Sequence, residues 1–215
     1  EIGPDQVSDV AWHSDARHVV YQVVFREQGM VEPVSPGDEF ELQDYYDHPE
    51  KYRPKFSTYL PHLTALVNCI YWEEKYPRLV TKEALRELFE GSEQPRLRVI
   101  GDISCDVEGA IEATVRCTQP GNPVYVYDPF RDRAVDGVSG PGPVILAVDI
   151  LPSELPRESS AYFSRVLMDY VPAIAEADYT VPFEELALPP EIKRAVIVHQ
   201  GELTPDYRYL DEHLA

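Results

Sequence analysis

Apolar residues in this chain fall into short runs separated by stretches rich in proline, glycine and charge. Val19-Val20-Tyr21-Gln22-Val23-Val24-Phe25 is β-branched and aromatic, which predicts a buried strand. Leu63 to Trp72 contains a second strand, ending where Glu73-Glu74-Lys75-Tyr76-Pro77 opens a loop. Arg98 to Ser104 predicts a third, and Val124 to Asp128 and Val144 to Asp149 predict two more. A helical period appears in Thr81 to Phe89, where Leu85, Leu88 and Phe89 share a face, Thr81 suits an N-cap and Gly91 supplies a stop. Ser159 to about Glu176 predicts a long helix, with Phe163, Val166, Leu167, Tyr170, Val171 and Ile174 at helical spacing. Asp44 to Tyr52 reads as short helical turns and loop, and Pro190 to Leu203 as a further helix followed by a polar end.

Strand, loop, helix, strand with fully apolar strands predicts an α/β fold with a parallel sheet. Ligands of such sheets sit at the carboxyl ends of the strands. That rule selects three loops: after Tyr71-Trp72, after Ile103-Ser104 and after Val148-Asp149. The length of 215 residues allows one large domain or two small ones. The 20 prolines sit at segment boundaries, as expected of short elements joined by defined turns. A net charge of −19 disfavours nucleic acid and anionic membrane surfaces as partners. No run approaches the roughly 18 apolar residues of a membrane span. Glu1-Ile2-Gly3-Pro4 shows no sign of a signal peptide. The three cysteines, Cys69, Cys105 and Cys117, fit no zinc spacing, and a reduced cytoplasmic protein is expected.

Familiar phosphate cradles are absent: there is no G-x-G-x-x-G and no G-x-x-x-x-G-K-[ST]. Gly137, Gly140 and Gly142, close to Pro141 and Pro143, read as a turn. Six scattered histidines form no H-x-x-x-H pair, so no metal site is expected, and no G-x-S-x-G elbow supports a serine hydrolase. Cys105 lies between Asp102 and Asp106, whose charges would raise its pKa and favour a buried structural thiol. The informative cluster is Asp102, Asp106, Glu108, Gly109 and Glu112 after a strand. Such carboxylates can hold ribose hydroxyls, orient a cationic amine or move protons, and they can equally cap a loop.

Arg98 to Glu112, containing Asp102-Ile103-Ser104-Cys105-Asp106-Val107-Glu108-Gly109, resembles the "D-[IV]-S-A-D-x-G-G-S-I-E" segment of lysine–2-oxoglutarate reductases. These are the reductase halves of aminoadipic semialdehyde synthases, relatives of saccharopine dehydrogenase and of the alanine dehydrogenase and transhydrogenase family. Asp47-His48-Pro49-Glu50-Lys51-Tyr52 resembles "D-K-H-P-E-R-Y". Val67 to Glu73, followed by Pro77-Arg78-Leu79-Val80-Thr81, resembles "I-N-G-I-Y-W-E … P-R-L-L-T". Val148 to Glu158 resembles "I-D-x-L-P-x-x-L-P-x-E", and Val198 to Leu203 is similar to the closing segment of the same fold.

The resemblance implies part of a doubly wound parallel sheet. Residues 1–155 would be the later part of a Rossmann-type nucleotide-binding domain, preceded by the glycine-rich loop. Residues 156–215 would be helices returning to an N-terminal substrate domain that lies outside this chain. It implies an enzyme that condenses L-lysine with 2-oxoglutarate and reduces the imine with NADPH, or NADH, to saccharopine. By resemblance Asp106 is the active-site aspartate, orienting and stabilising the cationic imine. Ile103, Ser104, Cys105 and Asp106 lie against the nicotinamide ribose, Tyr71 and Trp72 end the strand whose loop covers the cofactor, and Leu151 packs on the nicotinamide. Core packing is the competing role for Tyr71, Trp72 and Leu151. Further implications are a homo-oligomer, association with the rest of the same enzyme, and a cytoplasmic location (the mitochondrial matrix in an animal). Two departures stand out: Glu108-Gly109 replaces the family's paired glycines, and Ile150 replaces an Asn or His. The other readings are an NAD-dependent saccharopine dehydrogenase that releases lysine, and a binding domain that has lost its active site. The isolated 215 residues are expected to have negligible activity.

Overall fold

The computed structural model describes residues 1–11, 19–92 and 94–214. They form two units, Glu1–Leu151 and Pro152–Ala215. The first unit runs α1 (Val7–Val10), α2 (Glu27–Met30), β1 (Val31–Pro33), α3 (Leu42–Asp47), β2 (Tyr52–Pro54), β3 (Ala65–Asn68), α4 (Lys82–Glu90), β4 (Val99–Asp102), β5 (Val124–Asp128), β6 (Arg133–Asp136) and β7 (Val144–Leu146). The second holds α5 (Pro156–Met168), α6 (Val171–Glu176), α7 (Pro190–Arg194) and the hairpin β8 (Val198–His199) and β9 (Glu202–Leu203).

The central sheet has the order β3-β4-β7-β5-β6. Strands β3, β4 and β7 are parallel, as their apolar composition predicts. Val124 to Asp128 forms its strand as expected but runs antiparallel to β7, and β6 returns antiparallel to it. The polar sequence of β6 hides it from a search for apolar runs; Asp128 sets its turn by accepting the amides of Phe130 and Arg131 at 3.0 and 3.2 Å. The predicted glycine turn lies between β6 and β7. At Gly142 a Cβ atom would fall 1.8 Å from the Tyr127 carbonyl oxygen, so only glycine allows that approach.

One sheet face forms the core. Leu66, Ile100, Tyr125 and Ile145 are buried there beside Leu85 of α4 and Leu97. Thr81 caps α4 as its sequence predicts, its hydroxyl accepting the Ala84 amide at 3.1 Å. On the opposite face Val67 and Val99 are exposed. Among the described residues no strand pairs with the outer edge of β3.

Two predicted elements differ. Val19 to Phe25 is not a strand: Val23 makes a single bridge to Ile2, and Val20 is 95% exposed. β-propensity forms a strand only where a pairing edge is offered; here Phe25 instead packs its ring on Phe56 and Tyr59. The long helix is two, α5 and α6, separated at Asp169 and Tyr170. Pro172 lies in the first turn of α6, where its missing N–H costs nothing, but a continuous helix would lose a bond there. No helix among the described residues is long and apolar enough to cross a membrane.

Candidate functional site

The carboxyl ends of β3 and β4 are joined by buried polar groups. Asn68 and Asp102 are register partners, and Asp102 is only 1% exposed. One Asp102 oxygen accepts Asn68 Nδ2 at 2.9 Å and the Cys105 amide at 3.3 Å; the other accepts the Thr114 hydroxyl at 2.5 Å. Both carboxylate oxygens are therefore used, and among the described residues no cationic side chain pairs with them. A buried carboxylate so arranged is costly to bury and costlier to leave half satisfied.

From that hub the chain leaves the sheet as a tightly held loop. The Ile103 amide donates to the Asn68 carbonyl at 2.8 Å, and the Ser104 hydroxyl to the Ile70 carbonyl at 2.6 Å. Cys105 has a positive φ of 57°, and its thiol donates to the Asp102 carbonyl at 3.0 Å. Burial, followed by the charge of Asp102, pushes the Cys105 thiol up to about 11. Asp149, after β7, acts in the same direction on Cys105 and Cys117, so the third strand-end loop lies close to the second. Asp106 projects outward and is exposed. Its carbonyl accepts the Gly109 amide at 2.9 Å, and a Cβ on Gly109 would lie 2.5 Å from the Asp106 Cβ. Glu108 has φ of 51°, the left-handed conformation for which a glycine is suited. Here its carboxylate is paired with Lys82 Nζ at 2.6 Å, a bond that holds the ammonium pKa above its ordinary value.

The loop is also held from outside. The Arg78 guanidinium donates to the carbonyls of Glu108 and Gly109, the latter at 2.7 Å, and pairs with Glu112 at 3.2 Å. Its other side stacks on the Trp72 ring, 4.6 Å from the centroid. The second Glu112 oxygen accepts the Lys82 amide at 2.8 Å, at the start of α4.

Of the residues singled out by sequence, Ile103, Ser104, Cys105 and Asp106 form this loop, and the Ser104–Ile70 bond ties it to the Tyr71-Trp72 segment. Tyr71 is 80% exposed. Trp72 is half-buried and donates Nε1–H to the Tyr76 carbonyl at 3.1 Å. Ser104 and Cys105 commit their side chains to the scaffold, which leaves backbone, Ile103, Asp106 and Tyr71 facing outward. Leu151 opens a 3₁₀ turn, Leu151–Glu154, and is half-buried. Ile150, one of the two departures, is an exposed apolar side chain. Asn68, Arg78, Lys82 and Thr114 escaped the sequence reading. Asn68 alone carried a signal, as a polar residue in an apolar strand.

A cavity of about 430 Å³ adjoins Ile70, Tyr71 and Trp72 and is walled by Tyr45, Tyr46 and Tyr76. Two of its rings already hold a cation, Arg78 over Trp72 and Lys75 over Tyr76. Among the described residues no group of three or more His, Cys, Asp or Glu side chains is arranged to hold a metal.

Parallel strands whose carboxyl ends converge on a held, outward-facing acidic loop define an α/β protein of the nucleotide-domain class. Residues 62–206 match the family model described as the alanine dehydrogenase/PNT C-terminal domain. The chain belongs to this family, within its saccharopine dehydrogenase and aminoadipic semialdehyde synthase branch. It is 37% identical to an alpha-aminoadipic semialdehyde synthase of Arabidopsis thaliana over 89% of this chain and 17% of that protein. The mitochondrial Bos taurus protein of that name is 31% identical over 98% of this chain and 24% of its own length. A Schizosaccharomyces pombe saccharopine dehydrogenase [NAD(+), L-lysine-forming] is 35% identical over 52% of the chain and 28% of that protein. The chain thus spans about a quarter or less of the two synthases.

Proposed function

We propose that this chain forms part of an oxidoreductase that joins L-lysine to 2-oxoglutarate and reduces the product to saccharopine with NADPH. In this reading residues 1–155 belong to its nucleotide-binding domain. The outer edge of β3, with which no described strand pairs, and the exposed Val67 and Val99 support that assignment, because a doubly wound sheet covers both faces. The apolar side chains along α5 and α6 support docking of residues 156–215 on a substrate domain.

One observation carries the chemistry: an exposed carboxylate, Asp106, on a loop fixed at the carboxyl ends of two parallel strands. The lysine ε-amine attacks the ketone carbon, the C–O bond breaks with loss of water, and a cationic imine results. A nicotinamide cofactor held against the loop would supply the hydride that converts this imine to a secondary amine. A carboxylate beside that cation stabilises it, and more strongly once water is excluded from the site. Asp106 supplies this stabilisation and orients the imine. The fit to a nicotinamide rests on the outward-facing backbone of Ile103 to Asp106, with Tyr71 and Trp72 at one side and Leu151 after the neighbouring strand. Ser104 and Cys105 act through their backbone, since both side chains are engaged within the scaffold.

A second reading, an NAD-dependent dehydrogenase that releases lysine, draws on the likeness to the fission-yeast protein. The synthases cover 89 to 98% of this chain and that dehydrogenase 52%, which favours the first.

The test is an assay of the full-length polypeptide. Lysine- and 2-oxoglutarate-dependent oxidation of NADPH is expected. Oxidation of saccharopine with NAD alone would favour the second reading, and absence of both would leave a binding domain. The 215 residues alone are expected to show no turnover.

A further inference from the structure

Arg78 makes three kinds of contact at once, and each leads to a different part of the candidate site. Its Nη1 donates to two successive carbonyls, Glu108 and Gly109, just after Asp106. Its Nε pairs with Glu112, whose other oxygen holds the first amide of α4. Its guanidinium plane lies on Trp72, in the segment after β3. The backbone on either side is fixed too: Leu79 and Val80 both donate to the Ala110 carbonyl, at 3.0 and 3.1 Å, and Glu112 donates to Val80 at 2.9 Å. Arg78 thus joins the Trp72 segment to the Glu108-Gly109 side of the Asp106 loop, whose other side the Ser104 hydroxyl ties to Ile70.

The loop needs such a brace. Cys105 and Glu108 both occupy left-handed backbone conformations, which are strained for a non-glycine residue. The Asp102 hub secures the first directly and reaches the second only through Thr114, whose carbonyl accepts the Glu108 amide at 2.8 Å. The Glu108 and Gly109 carbonyls lie beyond it. The ion pair of Glu108 to Lys82 is more than half exposed on the glutamate side, so that pair contributes little. Two charge-assisted bonds from one planar guanidinium onto adjacent carbonyls are stronger and fix direction. A lysine offers a single point charge and cannot serve both carbonyls, the carboxylate and the indole face together.

We infer that Arg78 is a positioning residue for the reaction proposed above: it locks the Asp106 loop and the Trp72 segment into one rigid surface, so that Asp106 meets the reacting nitrogen in a fixed place. This rests on the proposed function, because Asp106 matters to catalysis only under that reading. In this role Arg78 works through other groups. It acts through the Glu108 and Gly109 carbonyls and through the Trp72 ring.

The experiment uses the full-length polypeptide with Arg78→Ala, Arg78→Lys and, as a milder second variant, Glu112→Gln. Two readouts are taken. The first is hydrogen exchange of the peptide covering residues 103–112, which needs no activity. Arg78→Ala is expected to speed exchange at 106–110 at least tenfold while the β5–β6 hairpin keeps its wild-type rates. The second is steady-state kinetics with exogenous guanidinium. Arg78→Ala is expected to lose about 10- to 100-fold in kcat with KM for lysine within about twofold, the scale of a misplaced reacting group. Guanidinium ion at tens of millimolar restores a measurable part of it, while sodium chloride at equal ionic strength does not. A role in bulk stability alone would not give such rescue. Arg78→Lys is expected to recover less than half of the lost rate. If Arg78→Ala does not fold, Glu112→Gln carries the test, with faster exchange at the same amides expected. Unchanged exchange at 106–110 overturns the inference whatever the activity. Wild-type protein without turnover overturns the proposed function instead, and the exchange data then still decide whether Arg78 braces the loop.

Discussion

The loop after β4 and the helices α5 and α6 treat their side chains in opposite ways. Between Asp102 and Glu112 the side chains of Asp102, Ser104, Cys105, Glu108 and Glu112 all have partners, and two residues are held in left-handed conformations. Along α5, by contrast, Tyr162 and Phe163 are exposed, Phe163 by 66%, and Val171 and Ile174 continue the exposure on α6. The first region is preorganised by bonds within its own unit. The second has an apolar stripe that those residues do not bury. A held loop that displays one carboxylate suits chemistry; an uncovered apolar stripe suits docking.

The sharpest way to break this contrast is at Asp106. In the full-length polypeptide Asp106→Ala is expected to lower kcat/KM by about 10²- to 10⁴-fold, the scale of an electrostatic group in an active site. Steady-state assays check it, and a near-wild-type rate would remove Asp106 from the chemistry. Asp102→Ala acts on the scaffold instead. It leaves Asn68, Thr114 and the Cys105 amide with donors and no acceptor, and a loss of roughly 3 kcal/mol is expected in urea unfolding. A change below roughly 1 kcal/mol would mean that water replaces the carboxylate easily.

Alkaline pH tests the burial of the same hub. Cys105 is raised in the folded protein to about 11 from about 9, first by burial and then by Asp102. The folded state therefore keeps its proton longer than the unfolded one. This contribution is fully present below pH 9 and is lost as pH rises toward 11, amounting to roughly 3 kcal/mol. Tyr45 and Tyr125, both pushed up to about 12 chiefly by burial, add to the loss above pH 10. Thermal melts of wild type and Cys105→Val between pH 8 and 10 separate the thiol from the tyrosines: the variant is expected to show the shallower decline.

The smallest effects probe the two regions directly. Glu108→Gly relieves the left-handed backbone but gives up the Lys82 pair and adds chain entropy, so a net change within about 1 kcal/mol is expected. Glu108→Ala keeps the strain without the pair and should be the less stable of the two. On α5, Phe163→Glu should move the unfolding midpoint of the 215-residue chain by less than about 0.5 kcal/mol, because the ring is exposed. A large loss there would show that the stripe is already packed.

The same contrast explains what could be read in the sequence. Strands β3, β4, β5 and β7 and helix α4 were legible because their periodicity and caps are local. The family glycines even foretell the Glu108 conformation, since that backbone asks for glycine whether or not one is present. Val19 to Phe25 failed because a strand needs a partner edge that composition does not reveal. The hub was half visible: Asp102 and Asp106 stand out after a strand, whereas Thr114 and Arg78 reach the site through pairings 12 and 31 residues away. No local pattern marks such contacts, and the inward turn of the Ser104 and Cys105 side chains follows from them.

In the proposed enzyme the Asp106 loop borders the nicotinamide. A crystal structure of the full-length polypeptide with bound NADPH tests it most directly. The Asp106 carboxylate and the Ile103–Asp106 backbone are expected in contact with the nicotinamide or its ribose. Cofactor bound elsewhere, with the loop open to solvent, would contradict it.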